Sequence, residues 1–586
     1  MNTSSAQPTS KSHLPRLACW RLALGSILII ALQCLMWDTE LYIYDEGIIL
    51  TGAQALQRGL LPYRDFWTMY APGQFYLTAW LFSIFGQQEY LVRVIGIVAK
   101  TVIILMASMQ LRRFAGRNYW RRLAIAGTGI VVLLGLLIGV RFDAFPAFPA
   151  TAFAVAALIL MENALAASSG TQKTRRLLAA GILTALVVCF RHDLGFYTAA
   201  TLSIGAAYVW RTRVPQPAWR DIGRALGAYA AGIAILGVPV VAYFLWHVPL
   251  RDLYENLVEI PAFIYPAVRR LPLPGAAQLA YYVNALHQPG SAWSAMLRGS
   301  FEFSIYAPFL AAIPTLVFAA LALRRQKNAP HPALPFVFLA ALLCLAFTIK
   351  GLVRAHPLHM AQSLVLAVPV ALLFLLCVWD MARGTRRAAL ALAIAPACAL
   401  LLFSALHGFG QGQRRFAHMW LNTQMLAYCA APAAQNMRCA DAYSTFGARY
   451  VQAAALVRRH SAPGEPIYIA AGRHDKLMLN AVLLYFMADR PPATKWYELH
   501  PGVQTRAATQ ADMVAHMRRH PPRAVLVDTN WDDAAEPNAS ARSSGAHILD
   551  EWLAACYEEK EQQGSIRLLA PRAAAASDVR CALRAQ

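Results

Sequence analysis

The sequence predicts a polytopic α-helical membrane protein with a soluble α/β domain at its C-terminus. Three observations carry that expectation. Of 586 residues, 58% are hydrophobic and only 14% charged, with mean hydropathy +0.41, whereas a soluble chain carries about a quarter charged residues. Apolar runs of membrane-spanning length recur between residues 18 and 407. Beyond them the tail 408–586 carries 20 Lys/Arg and 16 Asp/Glu, the charge density of a soluble domain. The net charge of +22 does not point to nucleic acid. The basic residues cluster in short turns between apolar runs, as the positive-inside rule expects.

Taken in order, residues 1–17 read as a cytoplasmic tail, followed by a retained signal-anchor helix. The run after Lys11, Arg16 and Arg21 is long and lacks a small-residue cleavage site. Spans are expected near 18–37, 90–111, 122–140, 146–163, 177–192, 193–210, 225–246, 301–323, 333–349, 361–381 and 388–407. Basic clusters follow alternate spans: "RRFAGRNYWRR" (112–122), "KTRR" (173–176), "RTRVPQPAWRDIGR" (211–224), "RRQK" (324–327) and "RGTRR" (383–387). All fall in the cytoplasm only if "APGQFYLTAWLFSIFG" (71–86) does not cross. That segment therefore reads as a juxtamembrane or re-entrant helix, which leaves eleven crossings. The outer face receives the loop 38–89, the turns "RFDAFP" and "RHDLG", the loop 247–300, "KGLVRAHPLHM" and the tail. These choices place the N-terminus in the cytoplasm and the C-terminal tail on the outer face of the membrane.

Within the tail, "PIYIAAG" (466–472) and "RAVLVDTN" (523–530) read as buried strands, and 447–460 and 509–520 have helical periodicity. No glycine-rich phosphate fingerprint is present. Cys429, Cys439, Cys556 and Cys581 all lie in this tail, and an even count in an oxidising compartment implies disulfides. Proximity favours Cys429–Cys439 and Cys556–Cys581, although four cysteines allow three pairings.

The ionisable residues of the outer loops set the chemistry. In "LYIYDEGIILTGAQALQRG" (41–59), Asp45 and Glu46 stand where the first span ends and an amphipathic helix begins. Asp before an apolar-periodic stretch also has the pattern of a helix N-cap. Capping needs one carboxylate, however, and here two are followed by Asp65. A half-desolvated Asp45 would have its pKa raised toward the strength of a general base. The other turns repeat one theme: Arg141 and Asp143; Arg191, His192 and Asp193; Arg354, His356 and His359. Ionisable groups at membrane depth usually face a protein cavity. Arg and His suit a lipid-linked phosphate, and carboxylates suit a sugar. His356 and His359, with His192 beside Asp193, also offer a mixed set for a divalent metal, though no motif fixes its spacing. "AGRHDK" (471–476) follows a strand and reads as a polar loop or a substrate-contacting element.

From "YDEGIILTG" through "PYRDFWTMYAPGQFYLTAWLFSIFG" to "YLVRVIG" the chain resembles the first outer loop of GT-C membrane glycosyltransferases. That clan includes the protein O-mannosyltransferases and the aminoarabinose transferases of lipid A. The shared order is an acidic residue after the first span, an amphipathic helix ending in Gly and an aromatic–Pro stretch. An apolar helix, "FG" and an Arg opening the next span, Arg93, follow. "LVRAHPLH" and "LLYFMADRPPATKWYELHPG" (483–502) look like a bacterial branch of the clan. The resemblance implies a bacterial inner (cytoplasmic) membrane, a GT-C-like transmembrane domain over 18–407 and a periplasmic α/β domain over 408–586. It implies an inverting transfer from a polyprenyl-phosphate sugar to a lipid, glycan or protein acceptor, with Asp45 as general base and Glu46 as the second acid. The sequence departs from the aminoarabinose branch at "MYAPG". Tyr70 and a single Pro72 stand there in place of a Lys before a Pro pair, so phosphate recognition falls to Arg191, Arg354 or His356.

Two other classes share the lipid: a transporter or flippase of lipid-linked saccharides, and a polymerase or ligase of them. The first should show charged or broken helices at mid-membrane and internal repeats. The sequence has no clear repeat, and its ionisable residues gather at one face.

Overall fold

Each run expected to span the membrane forms a helix in the computed structural model, which describes residues 14–37, 42–140, 143–213, 215–325, 331–422, 424, 445–573, 578, 580 and 581. In chain order the helical body comprises α1 (Leu14–Leu35), α2 (Asp45–Gln57), α3 (Gly73–Phe85), α4 (Tyr90–Phe114), α5 (Tyr119–Gly139) and α6 (Ala147–Leu165). There follow α7 (Gly170–Phe190), α8 (His192–Arg211), α9 (Trp219–His247), α10 (Leu250–Tyr254), α11 (Tyr265–Arg269) and α12 (Ala276–Leu286). The last five are α13 (Ala292–Phe303), α14 (Ala307–Arg325), α15 (Leu334–Gly351), α16 (Ala361–Met381) and α17 (Gly384–Phe416).

Among the described residues, 8 helical runs are long and apolar enough to cross a membrane: α4, α5, α6, α9, α13 continued by α14, α15, α16 and α17 with its extension to Leu421. The other expected spans, α1, α7 and α8, are helices of 22, 21 and 20 residues. Lys173, Arg175 and Arg176 in α7, and His192 and Asp193 in α8, make those two less apolar at one end. The run 71–86 forms α3, of 13 residues. At 1.5 Å per residue it reaches roughly 20 Å, short of a hydrocarbon core of about 30 Å. It lies against α2, where Gly52 faces the Phe75 ring.

Lipid offers no hydrophobic drive between helices, so close packing depends on small residues. α5 meets α17 where Gly135 faces Gly408, and α7 meets α9 where Gly181 faces Gly232. A Cβ at any of these would run into the partner's backbone.

The C-terminal part is a mixed four-stranded sheet, β1 (Ile467–Ala471), β2 (Ala524–Asp528), β3 (Tyr557–Gln563) and β4 (Ile566–Pro571), in the order β1-β2-β4-β3. β1 and β2 are parallel; the other pairs are antiparallel. "IYIAA" and "AVLVD" are buried along their whole length, as strands covered on both faces should be. β3, "YEEKEQQ", is an edge strand largely open to solvent and carries charges; that composition hid it from the sequence reading. The helices are α18 (Thr445–His460), α19 (Leu483–Ala488), α20 (Ala507–Arg519) and α21 (Ile548–Cys556). Cys556 and Cys581 form a disulfide. Cys429 and Cys439 lie outside the described residues.

This part is bound to the first outer loop. The Leu483 N–H donates to the Ile43 carbonyl (2.8 Å), the Trp67 N–H to the Lys495 carbonyl (2.9 Å) and the Tyr497 hydroxyl to the Ile48 carbonyl (3.1 Å). Ile48, Leu50 and Ala53 of α2 share one apolar core with Leu484, Tyr485 and Phe486. The sheet is thereby held over the N-terminus of α2.

Candidate active site

α2 begins at Asp45. Tyr44 takes the position before it, and no side chain caps that end, so the capping pattern in the sequence does not describe Asp45. The carboxylate instead projects from the first turn, where free N–H groups favour negative charge. It faces a cavity of about 270 Å³.

Six parts of the chain build the wall of that cavity, one of them Phe145 in the turn before α6. The first loop gives Tyr44, Asp45 and Tyr70. The break between α7 and α8 is one residue, Arg191, in extended conformation, and it gives Arg191, His192 and Asp193. The end of α15 and the turn after it give Lys350, Arg354 and His359. The long outer loop adds Tyr265 and Arg269. The C-terminal domain closes the cavity with His500 and Glu536.

The charges form two clusters, each with two cations around one carboxylate. Arg191 donates from Nε and Nη2 to Asp193 (3.0 and 2.6 Å), and Lys350 Nζ stands 3.2 Å from the same carboxylate. Arg354 donates from Nη1 and Nη2 to Glu536 (3.0 and 2.6 Å), and Arg269 Nη2 donates to it at 3.1 Å. Arg354 Nε donates to His359 Nε2 at 3.2 Å. Burial pushes the Asp45 carboxyl up to about 6 against the pull of Arg269 and Arg354. Burial, then the charges of Arg354, His356 and Lys350, hold His359 well below the usual imidazole range. His500 is likewise lowered by burial and by Arg269 and Arg354. Burial raises the Glu536 carboxyl, but the hydrogen bond from Arg354 and the charge of Arg269 outweigh it, and it stays below the usual range.

Of the residues singled out in the sequence, Asp45, Tyr70, Arg191, His192, Asp193, Arg354 and His359 line this cavity. Glu46 does not reach it. One helical step of about 100° turns it away from Asp45, and it is buried against Arg93 at 2.5 and 2.7 Å. Asp65 pairs with Arg64 and accepts from the Leu61 N–H at 2.8 Å, beside a separate groove. Asp143 binds Lys100 at 2.5 Å, whose ammonium also caps the end of α5 at the Leu137 and Val140 carbonyls. His356 stays behind the wall, its ring 6.2 Å from that of His359. Arg141 lies outside the described residues.

The expected His/carboxylate set for a metal does not converge, and His359 Nε2 already accepts from a guanidinium. Among the described residues, ligand-type atoms gather in Asp475, His547 and Asp550, within 4.8 Å of one another. Asp475 belongs to the "AGRHDK" segment. It is held by Arg473 and Ser543, and Asp550 by His474 at 2.6 Å. That segment therefore braces the domain and does not enter the cavity wall.

Tyr44, Tyr265, Arg269, Lys350, His500 and Glu536 were missed as site residues. Lys350 and His500 stood inside the quoted segments "KGLVRAHPLHM" and "WYELHPG". Glu536, in "WDDAAEPN", carries no sequence signal, because only the docking of the sheet brings it to the arginines.

No family model matches the sequence, and no curated protein matches it. By structure the chain is similar to ArnT from Cupriavidus metallidurans bound to undecaprenyl phosphate, with TM-score 0.53 and 12% identity over 95% of this chain and 99% of that one. It is also similar to the Archaeoglobus fulgidus oligosaccharyltransferase in complex with Zn and sulfate (TM-score 0.46, 13% identity, 93% of this chain and 72% of that one). A third similarity is to the arabinofuranosyltransferase AftD from Mycobacteria (0.42, 12%, 94% and 41%). The likeness to ArnT spans nearly the whole of both chains, and the fold is that of the GT-C membrane glycosyltransferases.

Proposed function

We propose that the protein is an inverting glycosyltransferase that moves a sugar from a polyprenyl-phosphate donor to a lipid, glycan or protein acceptor at the outer face of the cytoplasmic membrane. The observation that carries this reading is the cavity at the start of α2, where one carboxylate with a raised pKa faces four cations. The similarity to a structure bound to undecaprenyl phosphate supports the choice of donor class.

The chemistry follows from the charges. Asp45 takes the proton of the acceptor hydroxyl or amine as that atom bonds to the anomeric carbon. The bond from that carbon to the phosphate oxygen breaks on the opposite face, and its electron pair stays on the phosphate. The donor phosphodiester carries one negative charge and the leaving phosphomonoester nearly two. Arg191, Lys350, Arg269 and Arg354 exceed their two partner carboxylates by two charges, so the developing charge meets preorganised cations. Lys350 supplies from α15 the ammonium that "MYAPG" lacks. Neutral His359 and His500 can orient polar groups without adding charge.

The test is Asp45→Asn in purified protein. Sugar transfer from a polyprenyl-phosphate sugar should fall by about 10²–10⁴, while binding of undecaprenyl phosphate stays. Full transfer by the variant would remove Asp45 as the base. Continued movement of lipid-linked sugar across vesicles by the variant would favour a flippase.

A further inference from the structure

Glu536 is the carboxylate that pairs with both Arg269 and Arg354, and it comes from another part of the chain. Its opposite number, Asp193, belongs to the membrane helices and sits two residues from Arg191. Glu536 lies 182 residues from Arg354 and 267 from Arg269. It reaches them on a loop between β2 and the turn Ala539–Ala541.

Its contacts are those of an anion in a built site. Arg354 grips both its oxygens, at 2.6 and 3.0 Å, and Arg269 adds 3.1 Å. The side-chain amide of Asn538 donates to Oε2 at 2.8 Å. The arginines are fixed independently of it: Arg269 Nη1 donates to the Met478 carbonyl (2.9 Å), Arg354 Nη1 to the Arg269 carbonyl (3.2 Å) and Arg354 Nε to His359. Arg269 Nε is buried and has no hydrogen-bond partner among the described residues. All three groups line the cavity that Asp45 faces.

We propose that Glu536 is a displaceable carboxylate, which holds the place of a phosphate between Arg269 and Arg354 and yields it when a polyprenyl phosphomonoester forms there. This rests on the reading of the cavity given above. A guanidinium pair binds carboxylate and phosphate through the same forked geometry. The internal carboxylate competes with the leaving phosphate, so it weakens the hold on product and hastens release. Glu536 is thus a positioning residue that tunes the site's charge.

The experiment titrates full-length protein in detergent with undecaprenyl phosphate and, separately, with inorganic phosphate, for the unaltered chain, Glu536→Gln and Glu536→Asp. The Gln variant should bind undecaprenyl phosphate about tenfold more tightly, because charge-assisted bonds freed from a competitor become available to the ligand. Its steady-state turnover should fall through slow product release, and Asp should restore both values. A mere brace would lose affinity when removed, so equal or weaker binding by the Gln variant overturns the proposal. If that variant fails to fold, Asn538→Ala, which unties the same carboxylate, must tighten binding instead. If the unaltered chain binds no polyprenyl phosphate but the Gln variant gains inorganic phosphate, the displaced carboxylate stands and the donor reading falls. Lipid binding that Glu536→Gln leaves unchanged is the reverse outcome.

Discussion

At the scale of single residues, one physical cause at Asp45 bears on stability and, on the proposed reading, on activity. Its carboxyl is pushed from 3.8 to about 6 by burial. A base works only when deprotonated, so transfer should rise with pH through about 6 and level off above it. Stability has the opposite sign. An acid whose folded pKa exceeds its unfolded one prefers to fold protonated. The cost of ionising it is absent below the unfolded pKa and fully present above the folded one. At 1.36 kcal/mol per pH unit that cost is about 2 to 3 kcal/mol. Asp45→Asn removes it, so that variant should melt above the unaltered protein at pH 7.5 and together with it near pH 4. A melting difference that does not change with pH would detach the shift from Asp45. Glu46 teaches the complementary lesson. Two adjacent acids looked like one device in the sequence, yet a single helical step sends one to the cavity and the other to Arg93.

At the scale of elements, α2 is the joint between the membrane helices and the sheet. Gly47 lies where a Cβ would strike the backbone of Leu483. Gly47→Ala should therefore lift the C-terminal domain from α2, costing about 1–3 kcal/mol as overpacking does. It should lower turnover as well, because His500 and Glu536 ride on that domain. The control is Gly223→Ala in α9, where nothing lies within 4 Å and the better helix former should be neutral or stabilising by about 0.5–1 kcal/mol. Thermal unfolding and a transfer assay on both variants check this; equal effects at the two positions would contradict it. Elements were the most legible level of this sequence. The expected spans and the two buried strands rest on runs of apolar residues, and the short helix α3 on the placement of the basic turns, features that the chain displays directly. The site was legible where ionisable residues stand beside apolar runs, at Asp45 where the first span ends, at Arg191–Asp193, and at Arg354 and His359. Arg269 and Glu536 had no such frame. Their roles come from contacts across 267 residues, which no local pattern encodes.

At the scale of the whole molecule, the question is which end of the helical body faces outward. Arg113 reaches Glu162 at 2.7 Å, Arg121 reaches Asp380 at 2.7 Å and Arg176 donates to the Asn163 carbonyl at 2.6 Å. These contacts tie the basic turns after α4, α6 and α16 to one end. The cavity is built from the turns at the other end, between α7 and α8 and between α15 and α16. For such an arrangement the positive-inside rule predicts the orientation that keeps the basic end in the cytoplasm. The Cys556–Cys581 disulfide agrees, since it would persist only where thiols are oxidised. The measurement is labelling of single introduced cysteines by a membrane-impermeant maleimide, in a chain whose Cys429 and Cys439 are replaced by serine. Ala462→Cys, exposed before β1, should react in intact spheroplasts. Arg117→Cys, exposed between α4 and α5, should react only after the membrane is opened. The reverse pattern would turn the cavity toward the cytoplasm, where nucleotide sugars are at hand. Asp45 would then face a different donor, and the polyprenyl-phosphate reading would fall with the orientation.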